Sequence, residues 1–333
     1  MLTFIENFVS RWDGNSYLFL AHNGYVTKGS EAAFVVFPPF YPFTIRVINY
    51  FLQNLALSAF LISTFSFILA MFVFYKLLII DYTKKKTIWI ITTLIFFPTS
   101  YFFFTAYPES VFLLLILLTF LFMRRKNFLL ASIFGAFATL TRPFGVLLWM
   151  SLLLEWFKED KKISTLFLIF SFMSLSVSIY LSLNYSLFGN AFAFQNFLQN
   201  HWQKSFTFPW NSLVNSWQRG ISTPDNNPEY KYLVGYAEAI ASTIAYVFII
   251  INILFKKIRM RLSYLAYLSL ATLLMTSTSF LLSTPRYLLS IPVFFITLGN
   301  ITNHTFLKII WGTLSISLLV FFSYLFIKGR WAF

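Results

Sequence analysis

The sequence predicts an all-α polytopic membrane protein. Three observations carry that prediction. Mean hydropathy is +0.72. Hydrophobic residues make up 58% of the 333, including 45 Phe. Only 11% of residues are charged, too few to build a water-facing surface. In lipid the backbone must be satisfied by helices or by a closed barrel. Barrel strands alternate polar and apolar residues; the runs here are continuously apolar, which leaves helices.

Residues 1–51 are mixed rather than uniformly apolar. Phe4, Phe8 and Trp12 recur every four residues, opposite Glu6, Asn7 and Ser10, the periodicity of a helix lying in the interface. The stretch lacks the basic and apolar regions of a signal peptide. About ten candidate spans follow, each near the length a bilayer requires. They lie at 52–80, 87–105, 108–123, 127–142, 143–157, 163–187, 236–255, 262–284, 286–302 and 308–327. Pro98, Pro108, Pro143, Pro285 and Pro292 are expected to kink or end helices. Residues 188–235 are the one long polar segment within the bundle, read as a structured loop because of their Trp and Phe content. The expected plan is a segment 1–51, a first bundle 52–187, the loop 188–235 and a second bundle 236–333.

Charge orients this bundle. The net charge of +14 does not call for nucleic acid, because the basic residues sit in short loops between spans. Lys84-Lys85-Lys86, Arg124-Arg125-Lys126, Lys158/Lys161/Lys162, Lys256-Lys257/Arg259/Arg261 and Lys308 fall in alternate loops, on one face. The positive-inside rule makes that face cytoplasmic. Residues 1–51, Thr105–Glu109, Arg142, the 188–235 segment and Thr284–Arg286 then share the opposite face, where an active site is expected. Cysteine is absent, which excludes disulfides, thiolate metal sites and a cysteine nucleophile.

Carboxylates are scarce, 11 in all, so those beside polar-aromatic motifs stand out. Asp13, in Arg11-Trp12-Asp13-Gly14, fits a base or orienting acceptor for a sugar hydroxyl; it also fits a helix N-cap. Glu109 follows Pro108 at a helix start, where the dipole favours an acid, yet an acid entering a membrane helix tends to be functional. Arg142 and Arg286 end spans on the outer face, suited to phosphate or to snorkelling toward headgroups, and Lys204 has similar standing. Trp12, Tyr25, Tyr41, Trp202, Trp210, Trp217 and Trp331 offer either a sugar-stacking cleft or an interfacial belt. His22 and His201 lack partners at metal-ligand spacing, and no metal site is expected. No metalloprotease, nucleophile-elbow, Walker A or dinucleotide fingerprint appears.

The stretches RWDGNSYLFLAHNGY, FPPFYPFTIR, TAYPES, ATLTRPFGVLL, FGNAFAFQNFLQNHWQKSFTFPW, STPRYLLSIP and the terminal GRWAF resemble, in this order, the PIG-V family of GPI mannosyltransferase II and its prokaryotic relatives, within the GT-C class. The resemblance covers nearly the whole chain. It implies a GT-C-like helical bundle and an inverting mannosyltransferase. Asp13 would be its catalytic base, with Glu109 assigned beside it. Substrate would be bound by Arg11, Trp12, Tyr41, Arg142, Trp202, Lys204, Trp210 and Arg286. The donor would be a dolichyl- or polyprenyl-phosphate sugar and the acceptor a glycan or glycolipid, with no cofactor. Family members begin with a membrane helix before the WDG segment, whereas Met1–Ser10 alone precede it here, so a misplaced start or a lost first span is expected. The length of 333 residues is short for the eukaryotic enzymes and favours a prokaryotic surface glycan or glycolipid acceptor. The expected location is the cytoplasmic membrane of a prokaryote, or the endoplasmic reticulum membrane of a eukaryote. Three rivals stand beside this reading. They are a transporter or lipid flippase, a non-catalytic membrane scaffold, and the same enzyme with another polyprenyl-phosphate sugar such as glucose or arabinose.

Overall fold

A computed structural model describes residues 2–255 and 260–333, with side chains described from Ile5 onward. Lys256, Lys257 and Arg259 of the fourth basic cluster, and the Phe4 side chain of the aromatic stripe, lie outside the described residues. Among the described residues no strand forms; one isolated bridge pairs Phe206 with Thr278.

The helices run in chain order as α1 (Leu2–Val9), α2 (Asp13–Asn23), α3 (Phe40–Leu52), α4 (Leu55–Leu78) and α5 (Lys84–Ile95). Next come α6 (Glu109–Arg124), α7 (Phe128–Thr141), α8 (Leu148–Glu159), α9 (Ile163–Phe188), α10 (Ala193–Asn200) and α11 (Pro209–Ser222). A π-helical run, Tyr230–Ala237, then continues directly into α12 (Glu238–Leu254). The chain closes with α13 (Leu262–Thr276), α14 (Thr284–Tyr287), α15 (Pro292–Ile301) and α16 (Thr305–Ile327). Short 3₁₀ turns occupy Ser30–Val36, Ser100–Phe104, Pro143–Leu147 and Leu288–Ser290.

Four helices are long and apolar enough to cross a membrane: Leu55–Leu78, Ile163–Phe188, Tyr230–Leu254 and Thr305–Ile327. A fifth span results if Ser30–Val36 and α3, bent by 110°, count as one. The other expected spans carry shorter helices, from 10 residues in α15 to 16 in α6. Proline sets many of their limits. Pro108 precedes α6, Pro143 separates α7 from α8, and Pro285 and Pro292 sit in the first turns of α14 and α15.

Two expectations need correction. The stripe Phe4, Phe8, Trp12 does not run along one helix, because α1 stops at Val9 and Trp12 adopts φ 49°, which no α-helix tolerates. The segment 188–235 is not a loop, since it contains α10, α11 and the π-helical run. Its signal is a stripe of small residues on α11: Ser212, Ser216 and Gly220, spaced by four, are its buried positions.

The chain divides into two compact units, Met1–Leu77 with Phe102–Gln203 and Leu78–Tyr101 with Lys204–Phe333. Their limits run across the expected four-part plan. In the first unit α6 is apolar nearly all round and accordingly buried: Phe112, Leu113, Ile116, Leu117 and Phe120 are at most 1% exposed. Its two ends differ in charge chemistry. Lys126 meets Glu159 at 2.9 Å across the turns that carry the basic clusters, and Arg142 meets Glu109 where α7 ends and α6 begins. The second unit likewise gathers basic clusters. Trp89 donates to Thr302 at 3.0 Å and lies beneath the Lys308 ammonium, while Lys86 lies over Tyr82.

Candidate functional site

The RWDG segment of the first unit is a tight turn. Trp12 holds φ 49° and ψ −125°, and the Gly14 amide donates to the Arg11 carbonyl at 2.9 Å. A non-glycine residue at such a φ costs roughly 1–3 kcal/mol and persists only where its surroundings impose it. Two contacts impose it here. The buried Tyr107 hydroxyl donates to the same Arg11 carbonyl at 3.1 Å. Gly14 packs so closely against Val9 that a Cβ there would lie 2.2 Å from the Val9 carbonyl oxygen. The glycine of the motif is therefore required by contact.

Asp13 is the first residue of α2 and half-buried. The N-cap position belongs to Trp12, so the expectation of Asp13 as an N-cap is corrected by one residue; its charge still meets the positive end of the helix dipole. The other end of α2 is closed by Arg46 from α3. Its Nε donates to the Ala21 carbonyl at 2.7 Å, and its terminal nitrogen to Leu20 and His22 at 3.2 and 3.4 Å.

Tyr107 stands two residues before Glu109, so the turn carrying one acid is pinned to the segment carrying the other. Glu109 is the first residue of α6 and 1% exposed. Arg142 Nη1 donates to its Oε1 at 2.7 Å, and the guanidinium lies over Phe112 and Phe144. At 8% exposure Arg142 is not snorkelling.

Aromatic contacts extend the site. Trp202 meets Phe37 edge-on at 5.8 Å, Phe37 packs on Tyr17 at 4.8 Å, and Tyr17 touches Tyr41 and Tyr107. Tyr41 departs from expectation. It is fully buried, with its hydroxyl 2.9 Å from Ser63, which donates onward to the Thr105 carbonyl. It belongs to the core rather than to an exposed stacking face. Tyr25 donates to the Phe37 carbonyl at 2.6 Å, and burial pushes its phenol well above the ordinary value. Trp12, by contrast, is 46% exposed.

Arg11, Trp12, Asp13, Tyr41, Glu109, Arg142 and Trp202 thus all belong to the first unit. Lys204, Trp210 and Arg286 belong to the second unit. Trp210 stacks on Phe208 at 4.8 Å and is 60% exposed. Arg286 is 7% exposed, lies over Tyr287 and does not snorkel. Sequence reasoning passed over Glu238, which is fully buried at the head of α12 and accepts from the Ser283 and Thr284 amides at 2.6 and 2.7 Å. An acid opening an otherwise apolar helix was the available signal. Among the described residues no His, Asp or Glu group is arranged to hold a metal ion. Compared with known proteins, the chain matches no family model, no curated sequence and no solved structure.

Proposed function

We propose that this chain is a multi-pass membrane glycosyltransferase of GT-C type, which moves mannose from a dolichyl- or polyprenyl-phosphate donor to a glycan or glycolipid acceptor. The observation that carries the reading is the Asp13 turn. A half-buried carboxylate stands on a strained, doubly pinned backbone, beside an exposed Trp. Strain of that kind collects at functional positions. The fixed backbone holds the acid ready for one task, accepting a proton from a hydroxyl within hydrogen-bond reach.

In the proposed reaction the acceptor oxygen attacks the anomeric carbon as Asp13 takes its proton. The bond from that carbon to the donor phosphate breaks, and the electron pair leaves with the phosphate. Attack opposite the departing group inverts the anomeric centre. A lipid phosphate is already a good leaving group, so the displacement requires no metal ion. Glu109 is neutralised by Arg142, which suits it to holding the site's shape; Asp13 carries the proton transfer.

The test is sugar transfer by the purified chain in liposomes, with labelled polyprenyl-phosphate mannose and a panel of acceptors, with and without EDTA. Donor consumption by wild type, unaffected by EDTA and lost in Asp13→Asn, is expected. Undiminished turnover in that variant would remove Asp13 from the chemistry. No turnover with any lipid-phosphate sugar would move weight to a transporter or scaffold.

A further inference from the structure

Where α5 and α16 begin, the second unit carries four lysines on a surface that turns apolar within one helical turn. Lys84, Lys85 and Lys86 open α5, and Lys308 stands in the first turn of α16. The Lys86 ammonium lies 5.1 Å from the centroid of Tyr82, and that of Lys308 lies 5.2 Å from Trp89. Cations are disfavoured at both helix starts, because the helix dipole already presents positive charge there. Partial burial also holds the Lys86 ammonium below its ordinary pKa. The protein's own acids offset little of this charge. Among the described residues, none of the four lysines forms an ion pair with a carboxylate. Asp81 is the nearest acid in sequence, and one carboxylate leaves four ammonium groups with a positive balance.

The two rings are fixed to the end of α15. Trp89 Nε1 donates to the Thr302 hydroxyl at 3.0 Å, and the Asn300 side-chain amide donates to the Tyr82 hydroxyl at 3.4 Å. α5 and α15 approach so closely that a Cβ on Gly299 would lie 2.6 Å from the Ile90 Cγ1. Apolar side chains adjoin the lysines directly. Ile88 is exposed on α5, and Phe306 and Ile309 are exposed on α16, to either side of Lys308 in sequence. α16 is long and apolar enough to cross a membrane. Trp and Tyr rings between cations and such apolar surface are characteristic of the headgroup level of a bilayer.

We infer that Lys86 and Lys308, with the exposed Lys84 and Lys85 adding charge, bind the headgroup of an anionic phospholipid whose acyl chains run beside Ile88, Phe306 and Ile309. The chemistry is a phosphodiester met by ammonium groups, with hydrocarbon adjoining it on the same surface. Lysine suits that boundary, because its stem lies along apolar groups while its ammonium stays at headgroup level. A soluble anion would use the charges and leave the neighbouring apolar side chains without a role. The site belongs to the second unit alone and rests on no step of the proposed glycosyl transfer.

The experiment measures binding of phosphatidylglycerol, labelled on an acyl chain, to the full-length chain in detergent. Unlabelled phosphatidylglycerol, phosphatidylcholine of the same acyl chains and inorganic phosphate serve as competitors. Wild type is compared with Lys86→Gln, Lys308→Gln, the double variant and Lys308→Arg, with melting followed in parallel. Wild type is expected to prefer phosphatidylglycerol over phosphatidylcholine by about tenfold or more. Each glutamine variant should lose about fivefold in phosphatidylglycerol affinity, and the pair about twentyfold, from the worth of one lysine near an anionic headgroup. Lys308→Arg should keep most of the affinity, and phosphatidylcholine binding should not change in any variant. A purely structural role for the lysines would lower melting and leave the preference between the two lipids intact. Equal binding of both lipids by wild type, or full phosphatidylglycerol affinity in the glutamine variants, overturns the site. Inorganic phosphate that competes as well as the phospholipid overturns its assignment to a lipid. Should the double variant unfold, the two single variants decide.

Discussion

Arg142 donates to Glu109 across 2.7 Å with both side chains withdrawn from solvent, the guanidinium at 10% exposure and the carboxylate at 1%. The pair joins the residue that caps the end of α7 to the first residue of α6. A buried pair gains little net free energy, but removing one partner strands the other's charge at about 3–5 kcal/mol. Arg142→Met is therefore expected to lower the melting temperature sharply. Glu109→Gln with Arg142→Met should recover much of the loss, and a double-mutant cycle on melting measures the coupling.

Asp13→Asn removes the proposed base with almost no change of shape. Transfer should fall by about 10²–10⁴-fold, the usual worth of general base catalysis. The melting temperature should hold, and single-turnover kinetics with labelled donor decide the matter.

Gly14→Ala would place a methyl group 2.2 Å from the Val9 carbonyl oxygen, so backbone must move. Overpacking of this kind costs about 1–3 kcal/mol. Because the displaced residue adjoins Asp13, transfer should drop further than melting alone accounts for. Activity that merely tracks the folded fraction would separate the turn from the chemistry.

Tyr41→Phe probes the corrected role of that ring. Its hydroxyl faces Ser63, which keeps its own acceptor at Thr105. A loss of about 0.5–1.5 kcal/mol in stability is expected, with unchanged KM for donor and acceptor. A raised KM would return Tyr41 to the substrate surface.

Gly235→Ala drives a methyl group against backbone of Gly220 rather than against a flexible side chain. Melting should fall by the equivalent of about 1–3 kcal/mol, and calorimetry of the variant reads it.

The helical class was legible because composition constrains it directly: no soluble surface can be made from 11% charged residues. Helix limits at Pro108, Pro143 and Pro292 were legible because a missing N–H acts locally. The 188–235 segment misled because its Asn, Thr and Pro content reads as turn chemistry. The small stripe Ser212, Ser216, Gly220 becomes meaningful only against a partner, and the Ser212 hydroxyl bonded to the Thr276 carbonyl of α13 is that partner. The acid in the WDG motif stands out in the sequence by its aromatic neighbours. Its fastening does not, because Tyr107 lies 96 residues away from Arg11 in sequence. Arg142 illustrates the same limit: an arginine at a helix end looks alike whether it faces headgroups or Glu109 until the fold brings the two helices together.

The fastening of α2 has a dynamic consequence. A helix held at one end swings, whereas one held at both ends can only flex. Here Tyr107 and Gly14 fix the start, and the Arg46 guanidinium fixes the last carbonyls. The carboxylate at Asp13 behaves less like the tip of a loop than like a mark on a clamped beam. In the proposed transfer the acceptor must travel to it, so molecular fit at this position is decided by the shape of the visitor and not by rearrangement of the host.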